Sequence, residues 1–280
     1  MDIRKTDLIT FVVFTYNESA RIGRVIQNFK PFGSILIVDN YSTDDTLKIA
    51  EMEGCDILLN KNAGWVEDSV TTARVKEKVT TDWIYWGFAD EMVDGETLME
   101  IIGNVESGKY DIINIIRKNY YYGRFLYDAY ADRMNRIFRK DAIDFNGNKI
   151  HGFGKSTVLE NRIKFLPKNF FVHHFISNTA KSYLAAMDRY TDIEADEGPN
   201  QAHFSIAALR SAKRFLGNYF IRGAFKAGEG GFYLAFLASF YPILAHMKRH
   251  EAKTHLTRTE IEYLNNIKRK SIVSNILKVD

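Results

Sequence analysis

Trp83-Ile84-Tyr85-Trp86-Gly87-Phe88-Ala89-Asp90-Glu91 is the stretch on which the reading of the fold turns. Its first part is apolar and aromatic, and it reads as a buried strand. It ends abruptly in two adjacent carboxylates, Asp90 and Glu91. In an open α/β sheet, ligands gather beyond the carboxyl ends of the strands. A carboxylate there can hold a hard divalent cation through oxygen, and such a cation commonly holds a phosphate as well. The plain alternative is a strand that ends in a solvated acidic turn.

Upstream, residues 8–15 form a short apolar run with Val12, Val13 and Phe14, which reads as a buried strand. It breaks at Thr15-Tyr16-Asn17-Glu18. Ile22, Val25, Ile26 and Phe29 then recur at helical spacing, with Asn17 as the expected N-cap and Pro31 and Gly33 as the stop. Ile35-Leu36-Ile37-Val38 closes on Asp39 as a second strand. Ser42 is the expected N-cap of the helix that follows, with Asp44 and Asp45 favouring its positive end. A third strand at 55–59, helices at 66–79 and 94–105, and an isoleucine-rich strand at 110–116 complete the alternation. That order predicts a mostly parallel sheet with right-handed crossovers and helices on its faces.

The style changes after Lys118. Tyr120, Tyr121, Tyr122, Phe125, Tyr127 and Tyr130 come without clean periodicity. They fit either a carbohydrate or acceptor groove or a loop folded over a core. A turn-rich ribbon is expected around Asn146-Gly147. Beyond Ser182 the chain becomes helical, with breaks expected at Gly198-Pro199 and at 228–231. Residues 230–247 carry no formal charge. The run is marginal against the roughly 20 residues of a membrane span, and Pro242 interrupts it. Lys213, Arg214, Arg222 and Lys226 before it, and Lys248 and Arg249 after it, suit a helix lying on an anionic membrane surface. A buried C-terminal helix is the competing reading. The expected division is 1–117, a nucleotide-sugar-binding half; 118–180, an acceptor-side half; and 181–280, a helical, aromatic-rich extension.

The 280 residues are 46% hydrophobic and 26% charged, an ordinary globular composition that allows a sizeable core. A net charge of only +3 gives no global basic field, so no nucleic-acid partner is expected. The single cysteine, Cys55, rules out an internal disulfide framework and a multi-cysteine metal site, and suits a reducing compartment. The apolar run at 8–14 is too short for a secretory signal core, so a cytoplasmic protein is expected, peripheral on the inner face of the membrane if the C-terminal helix docks there.

Three polar features fall at strand ends: Thr15-Tyr16-Asn17-Glu18, then Asp39 with Ser42 and Asp44, then Asp90-Glu91. In a parallel sheet these ends converge on one edge. Together they suggest a nucleotide-sugar site.

The pattern resembles a family 2 glycosyltransferase of the GT-A fold, and more narrowly the bacterial glucosyltransferases of lipopolysaccharide inner-core assembly. The resemblance is carried by Phe14-Thr15-Tyr16-Asn17-Glu18, by Val38-Asp39-Asn40-Tyr41-Ser42-Thr43-Asp44-Asp45-Thr46, and by Asp82-Trp83-Ile84 leading to Ala89-Asp90-Glu91. Further on, Ile150-His151 and His174-Phe175 sit where family members carry histidines near the acceptor and the diphosphate. The resemblance implies an inverting transfer from a nucleoside-diphosphate sugar, with UDP as the expected nucleotide, to a glycan or lipid-linked acceptor in cell-surface polysaccharide or lipopolysaccharide synthesis. It implies that Thr15, Tyr16, Glu18 and Ser42 frame the nucleotide pocket, that Asp39 accepts a hydrogen bond from the uracil N–H, and that Asp68 lies near base or ribose. Asp90 would bind Mg2+ or Mn2+, with His174, or its rival His173, completing the metal site or pairing with phosphate. The base that takes the acceptor proton would be Glu91, Asp132 or His151, in that order.

The chain departs from the pattern twice. Phe88 stands where the family usually has the first Asp of Asp-Ala-Asp, and Gly152 follows His151 where close relatives have Glu. These departures motivate the alternative of a degenerate module that binds glycan or nucleotide without turnover. A nucleotidyltransferase ranks low, because no Gly-rich basic loop follows the first strand. A dinucleotide oxidoreductase ranks lower, for want of Gly-x-Gly-x-x-Gly.

Overall fold

A run of apolar residues buried on both sides is what a central parallel strand requires, and β1 (Ile9–Thr15) is buried along nearly all its length. In this computed structural model β1 pairs in parallel with β2 (Ser34–Asp39), which pairs in turn with β3 (Asp56–Leu59). On its other side β1 pairs with β4 (Trp83–Phe88). The structure describes residues 6–62, 67–125, 127–148, 153–176, 179–196, 203–254 and 257–276. The chain falls into two units, Met1–Asn178 and Thr179–Asp280.

In the first unit, helices α1 (Ile22–Phe29), α2 (Thr46–Met52) and α3 (Ser69–Lys78) connect these strands. β5 (Glu91–Val93), α4 (Gly95–Glu106) and the long β6 (Ile112–Tyr121) follow β4. β6 runs through residues 117 and 118, where the sequence reading divides the sheet domain. It turns back through β7 (Arg124–Phe125) and β8 (Ala131–Arg139). β9 (Ile143–Asp144) and β10 (Lys155–Ser156) form a small hairpin, and β11 (Ile163–Phe165) and β12 (Phe171–His174) return to the main sheet. The main path is β3-β2-β1-β4-β8-β6-β12-β5. It is parallel at β3-β2-β1-β4 and at β6-β12, and antiparallel where β8 inserts and where β5 closes the path. This is the mixed α/β sheet with flanking helices that the GT-A resemblance implies.

Strand alternation gives the sheet two buried faces. Phe11 and Tyr85 point to one, packing with Phe29 of α1 at ring separations of 4.8 and 5.1 Å. Val12, Leu36 and Trp86 point to the other, with Val75 of α3, Phe138 and Phe145. The expected stripe Ile22, Val25, Ile26 and Phe29 is the buried face of α1. Gly33 follows α1 because nothing larger fits: a Cβ there would lie 2.7 Å from the Ile9 carbonyl oxygen and 2.9 Å from the Phe11 ring. Cys55, ahead of β3, packs half-buried against this core, and burial pushes its thiol up to about 11.

Several local expectations are corrected. Asn17 does not cap α1; it adopts φ 55° ahead of the helix, and Arg21 occupies the cap position without a side-chain cap bond. Ser42 does not cap α2, which begins at Thr46; its hydroxyl turns to Asp39 instead. The tyrosine-rich stretch after Lys118 is in part strand: Tyr120 and Tyr121 extend β6, and Tyr121 is fully buried.

The second unit is helical: α5 (Ala180–Asp196), α6 (Phe204–Leu216), α7 (Gly228–Thr254) and α8 (Arg258–Ile276). A π-helical turn, Gly217–Ile221, and a 3-10 turn, Ala224–Ala227, link α6 to α7. The break expected at 228–231 is instead the first turn of α7. There Gly231 lies against the Ala224 carbonyl, in space that a Cβ would fill. Lys248 of α7 pairs with Asp188 at 2.5 Å and Asp192 at 2.6 Å on α5, and Arg249 pairs with Glu194 at 2.7 Å.

Candidate active site

The register aligns the ends of the three central strands. Thr15 stands opposite Asp39, Phe14 stands opposite Phe88, and the Ala89 N–H donates to the Phe14 carbonyl at 3.1 Å. Thr15, Asp39 and Asp90 therefore share one rim, as the sequence reading requires.

The first two strand-end loops are stitched together. Asp39 is fully buried and accepts from the Thr15 hydroxyl at 2.7 Å, the Ser42 N–H at 2.7 Å and the Ser42 hydroxyl at 2.6 Å. The Asn17 N–H donates to Ser42 Oγ at 2.8 Å, and the Thr43 N–H donates to Asn17 Oδ1 at 2.8 Å. The Glu18 N–H donates to Thr46 Oγ1 at 2.7 Å, and the Ser19 N–H to Asp44 at 3.1 Å. Bonds from Thr46 and Ser19 hold the Asp44 carboxyl below its usual range. These bonds use most of the acceptor capacity of Asp39, so a base N–H reaches it only if Ser42 shifts. Tyr16 at this rim is 43% exposed.

Asp90 begins a chain of polar contacts that crosses three strands. Its Oδ2 lies 3.1 Å from His174 Nε2, and His174 Nδ1 lies 2.6 Å from Asn119 Oδ1. β12 places His174 opposite Asn119 on one side and Glu91 on the other. Asn119 Nδ2 reaches Asp132 at 3.5 Å, and Arg117 grips both Asp132 oxygens, at 3.1 and 2.7 Å. Arg117 also approaches Glu91 at 3.5 Å. Arg136, fully buried, donates to Glu91 at 2.5 Å and to the Trp86 carbonyl at 2.8 Å.

Charge follows from this wiring. Burial alone would raise the Asp90 carboxyl, but His174, aided by Arg21 and Arg117, holds it below its usual value. Asp132 behaves likewise, with Arg117 overcoming burial. Glu18 goes the other way: burial and the nearby Asp90 raise it, against the pull of Arg21, which pairs with it at 2.5 Å.

Glu91, the first choice for a base, has a fully buried side chain; its Oε1 accepts from Arg136 and its Oε2 accepts the Phe88 N–H at 3.2 Å. Asp132 has 40% of its side chain exposed and stays open to an acceptor. His151 lies outside the described residues. Asp68 caps α3, accepting the Thr71 N–H at 2.7 Å. His173 faces away from His174, as alternation along β12 demands; it contacts the Tyr120 hydroxyl at 2.7 Å and Asp94 at 3.0 Å. Sequence reasoning missed Arg117, Asn119, Arg136 and Glu67, whose carboxyl is raised by burial and senses Arg136 and Arg117. The sequence does not single out Arg136, one of three arginines in β8 with Arg133 and Arg139.

The Asp90–His174 pair fits a divalent cation. If His174 donates from Nδ1 to Asn119, its Nε2 lone pair faces an Asp90 oxygen at 3.1 Å. Two acceptors that close need a proton or a cation between them. Adjacent ligands of an octahedral ion with bonds of about 2.1 Å stand about 3.0 Å apart. The second ring nitrogen, fixed by Asn119, is the usual orienting contact of a metal-binding histidine. Among the described residues, no group of three or more His, Cys, Asp or Glu side chains is arranged to hold a metal.

The chain is 26% identical over 273 residues to an uncharacterized glycosyltransferase of Rickettsia prowazekii, covering 91% of each chain. It is 30% identical over 149 residues to the prophage-derived glycosyltransferase SunS of Bacillus subtilis, covering 52% of this chain and 34% of that one. Among solved structures it is similar to S. aureus TarS, at a TM-score of 0.48 and 15% identity over 87% of this chain and 53% of that one. It is also similar to the mannosyltransferase PcManGT of Pyrobaculum calidifontis in complex with GDP-Man and Mn2+, at a TM-score of 0.46 and 14% identity over 88% and 87%. The profile of glycosyl transferase family 2 matches residues 10–164, more than half of the chain. That match spans the stitched loops, Asp90 and the arginine pair beneath it, and the chain belongs to glycosyl transferase family 2.

Proposed function

We propose that this glycosyltransferase moves a sugar, with inversion, from a UDP-sugar to a glycan or lipid-linked acceptor of cell-surface polysaccharide or lipopolysaccharide synthesis. The observation that carries the reading is the convergence of Thr15, Asp39 and Asp90 on one rim, with His174 beside Asp90. The stitched loops give the nucleotide a preformed seat, in which Thr15, Tyr16, Glu18 and Ser42 line the approach. Asp39 holds that seat from below and takes the uracil N–H when Ser42 yields.

Asp90 and His174 would hold Mg2+ or Mn2+. When bound, the ion supplies a Lewis acid for the departing diphosphate. Arg21, paired with Glu18, stands close enough to Asp90 to add positive charge at the same place. Asp132 accepts the acceptor hydroxyl proton. Arg117 holds its carboxyl below the usual range and fixes both oxygens, and 40% of the side chain is exposed.

The test is donor turnover measured as nucleoside diphosphate release from a panel of UDP-sugars with Mn2+. Asp90→Ala should lose transfer by on the order of 100-fold or more, the scale of removing an electrostatic contact to the leaving group, while its melting curve stays cooperative. Undiminished release in Asp90→Ala would refute the metal assignment.

Phe88 favours one second reading, a binding module without turnover. Where the family resemblance places a carboxylate, its ring packs on the Arg136 guanidinium, 4.9 Å away. UDP-dependent thermal stabilisation without release from any donor would select it.

A further inference from the structure

The second unit carries a surface that the transfer chemistry leaves unexplained. Helix α6 and the turns after it present large apolar side chains to solvent: Leu216 is 52% exposed, Phe220 57%, Ile221 86% and Phe225 47%. Ile221 stands at the end of the π-helical turn, where no packing role accounts for a β-branched aliphatic side chain. Apolar patches of this kind on a soluble protein mark a docking surface.

The charge in the same stretch points to the partner. Between residues 203 and 228 there are five basic residues, Arg210, Lys213, Arg214, Arg222 and Lys226, and no acidic one. Lys213 shares a helix face with Leu209 and Leu216, at spacings of four and three, so cation and apolar groups emerge on one side. Lys213, Arg222 and Lys226 are exposed beside the apolar side chains. Apolar residues bordered by long basic ones suit a bilayer interface, where rings enter the acyl boundary and cations meet anionic headgroups.

α7 could instead be read as a span. The stretch Ala224–Thr254 is long and apolar enough by length and composition, and only 22% of its most apolar window is buried. Its polar ties argue otherwise. Tyr241, in the middle of the apolar run, donates to Glu194 at 2.5 Å, and Lys248 and Arg249 are held by Asp188, Asp192 and Glu194 of α5. A crossing would carry this acidic helix into hydrocarbon beside it, at heavy cost.

We infer that residues 216–226 dock the protein on an anionic lipid bilayer, lying in the interface with Phe220, Ile221 and Phe225 inserted and Lys213, Arg222 and Lys226 on the headgroups. The inference stands on the second unit alone and is independent of the donor-site reading.

Flotation of the full-length protein with lipid vesicles tests it. Binding is expected to vesicles of phosphatidylcholine with about one-third phosphatidylglycerol, to weaken with salt, and to be far poorer on pure phosphatidylcholine. Charge reversal by Arg222→Glu with Lys226→Glu should weaken binding by on the order of 30-fold or more, from roughly fivefold per lost basic residue. Phe220→Ser with Ile221→Ser should abolish flotation at equal charge. These side chains are exposed, so circular dichroism melts should match the parent and separate lost docking from lost folding. Equal flotation of both double variants would overturn the inference. So would light scattering showing a dimer that Ile221→Asp dissolves, which would make a second copy the occupant. Resistance of the cellular protein to alkaline carbonate extraction would also overturn it, by showing a span.

Discussion

Arg136 sits at the centre of the site without touching its surface. It neutralises Glu91, caps the Trp86 carbonyl and lies under Phe88, so it holds the strand end that presents Asp90. Arg136→Met would leave buried Glu91 with only the longer Arg117 contact at 3.5 Å, and breaking a buried pair costs about 3–5 kcal/mol. The loss should appear in the urea midpoint of the first unit, and adding Glu91→Leu should recover part of it. Asp132 gives a prediction with a sign. Its folded carboxyl lies below the ordinary value of 3.8 because Arg117 outweighs burial. Its stabilisation is therefore present above that value and lost as pH falls through the depressed one. Asp132→Asn should be less stable than the parent at pH 6, the gap should narrow from about pH 4 downward, and transfer should fall at neutral pH. A gap that widens in acid would reverse the assignment. In the sequence, Asp90 could be picked out by its place at the end of an apolar run. Arg117, Asn119 and Glu67 could not, because each matters only through a strand pairing or a fold that brings distant segments together.

At the scale of elements, the β-α-β order was legible because buried parallel strands and amphipathic helices have different periods, and both are written in residues 8–59. The end loops were less so. Asn17 and Ser42 have the chemistry of helix caps, yet other partners claimed both: Asn17 reaches across to Thr43, and Ser42 turns back to Asp39 three residues before it. The antiparallel insertion of β8 between β4 and β6 left no local trace, since its partners are set by the order in the sheet and not by the residues of the strand. β4 itself makes a prediction. A Cβ on Gly87 would meet the Tyr85 ring and come within 3.5 Å of Glu91 Oε2. Gly87→Ala should destabilise by about 1–3 kcal/mol, as overpacking in a filled core does. It should lower donor turnover more than an equally destabilising change on the α2 side, because Tyr85 and Glu91 lie under Asp90. Equal turnover in the two variants would detach Gly87 from the site.

At the scale of the whole molecule, the chain divides into a sheet unit and a helical unit with different demands. A ligand that binds only folded protein stabilises it by mass action, by about 2.7 kcal/mol at a hundredfold excess over Kd. UDP with Mn2+ should therefore move a calorimetric transition of the sheet unit and leave any transition of the helical unit in place; a shift of the helical transition alone would relocate the nucleotide. The change from strand-like to helical periodicity after Ser182 was legible, whereas the exposure of Ile221 was not, because sequence does not tell an inward apolar residue from an outward one. The half-buried Cys55 has a practical consequence. With its thiol pushed up to about 11, it stays protonated and slow to alkylate at neutral pH. A second cysteine installed at Ile221 would then react selectively with maleimide, turning one exposed tip into a fluorescent reporter of what surrounds it without removal of the native sulfur.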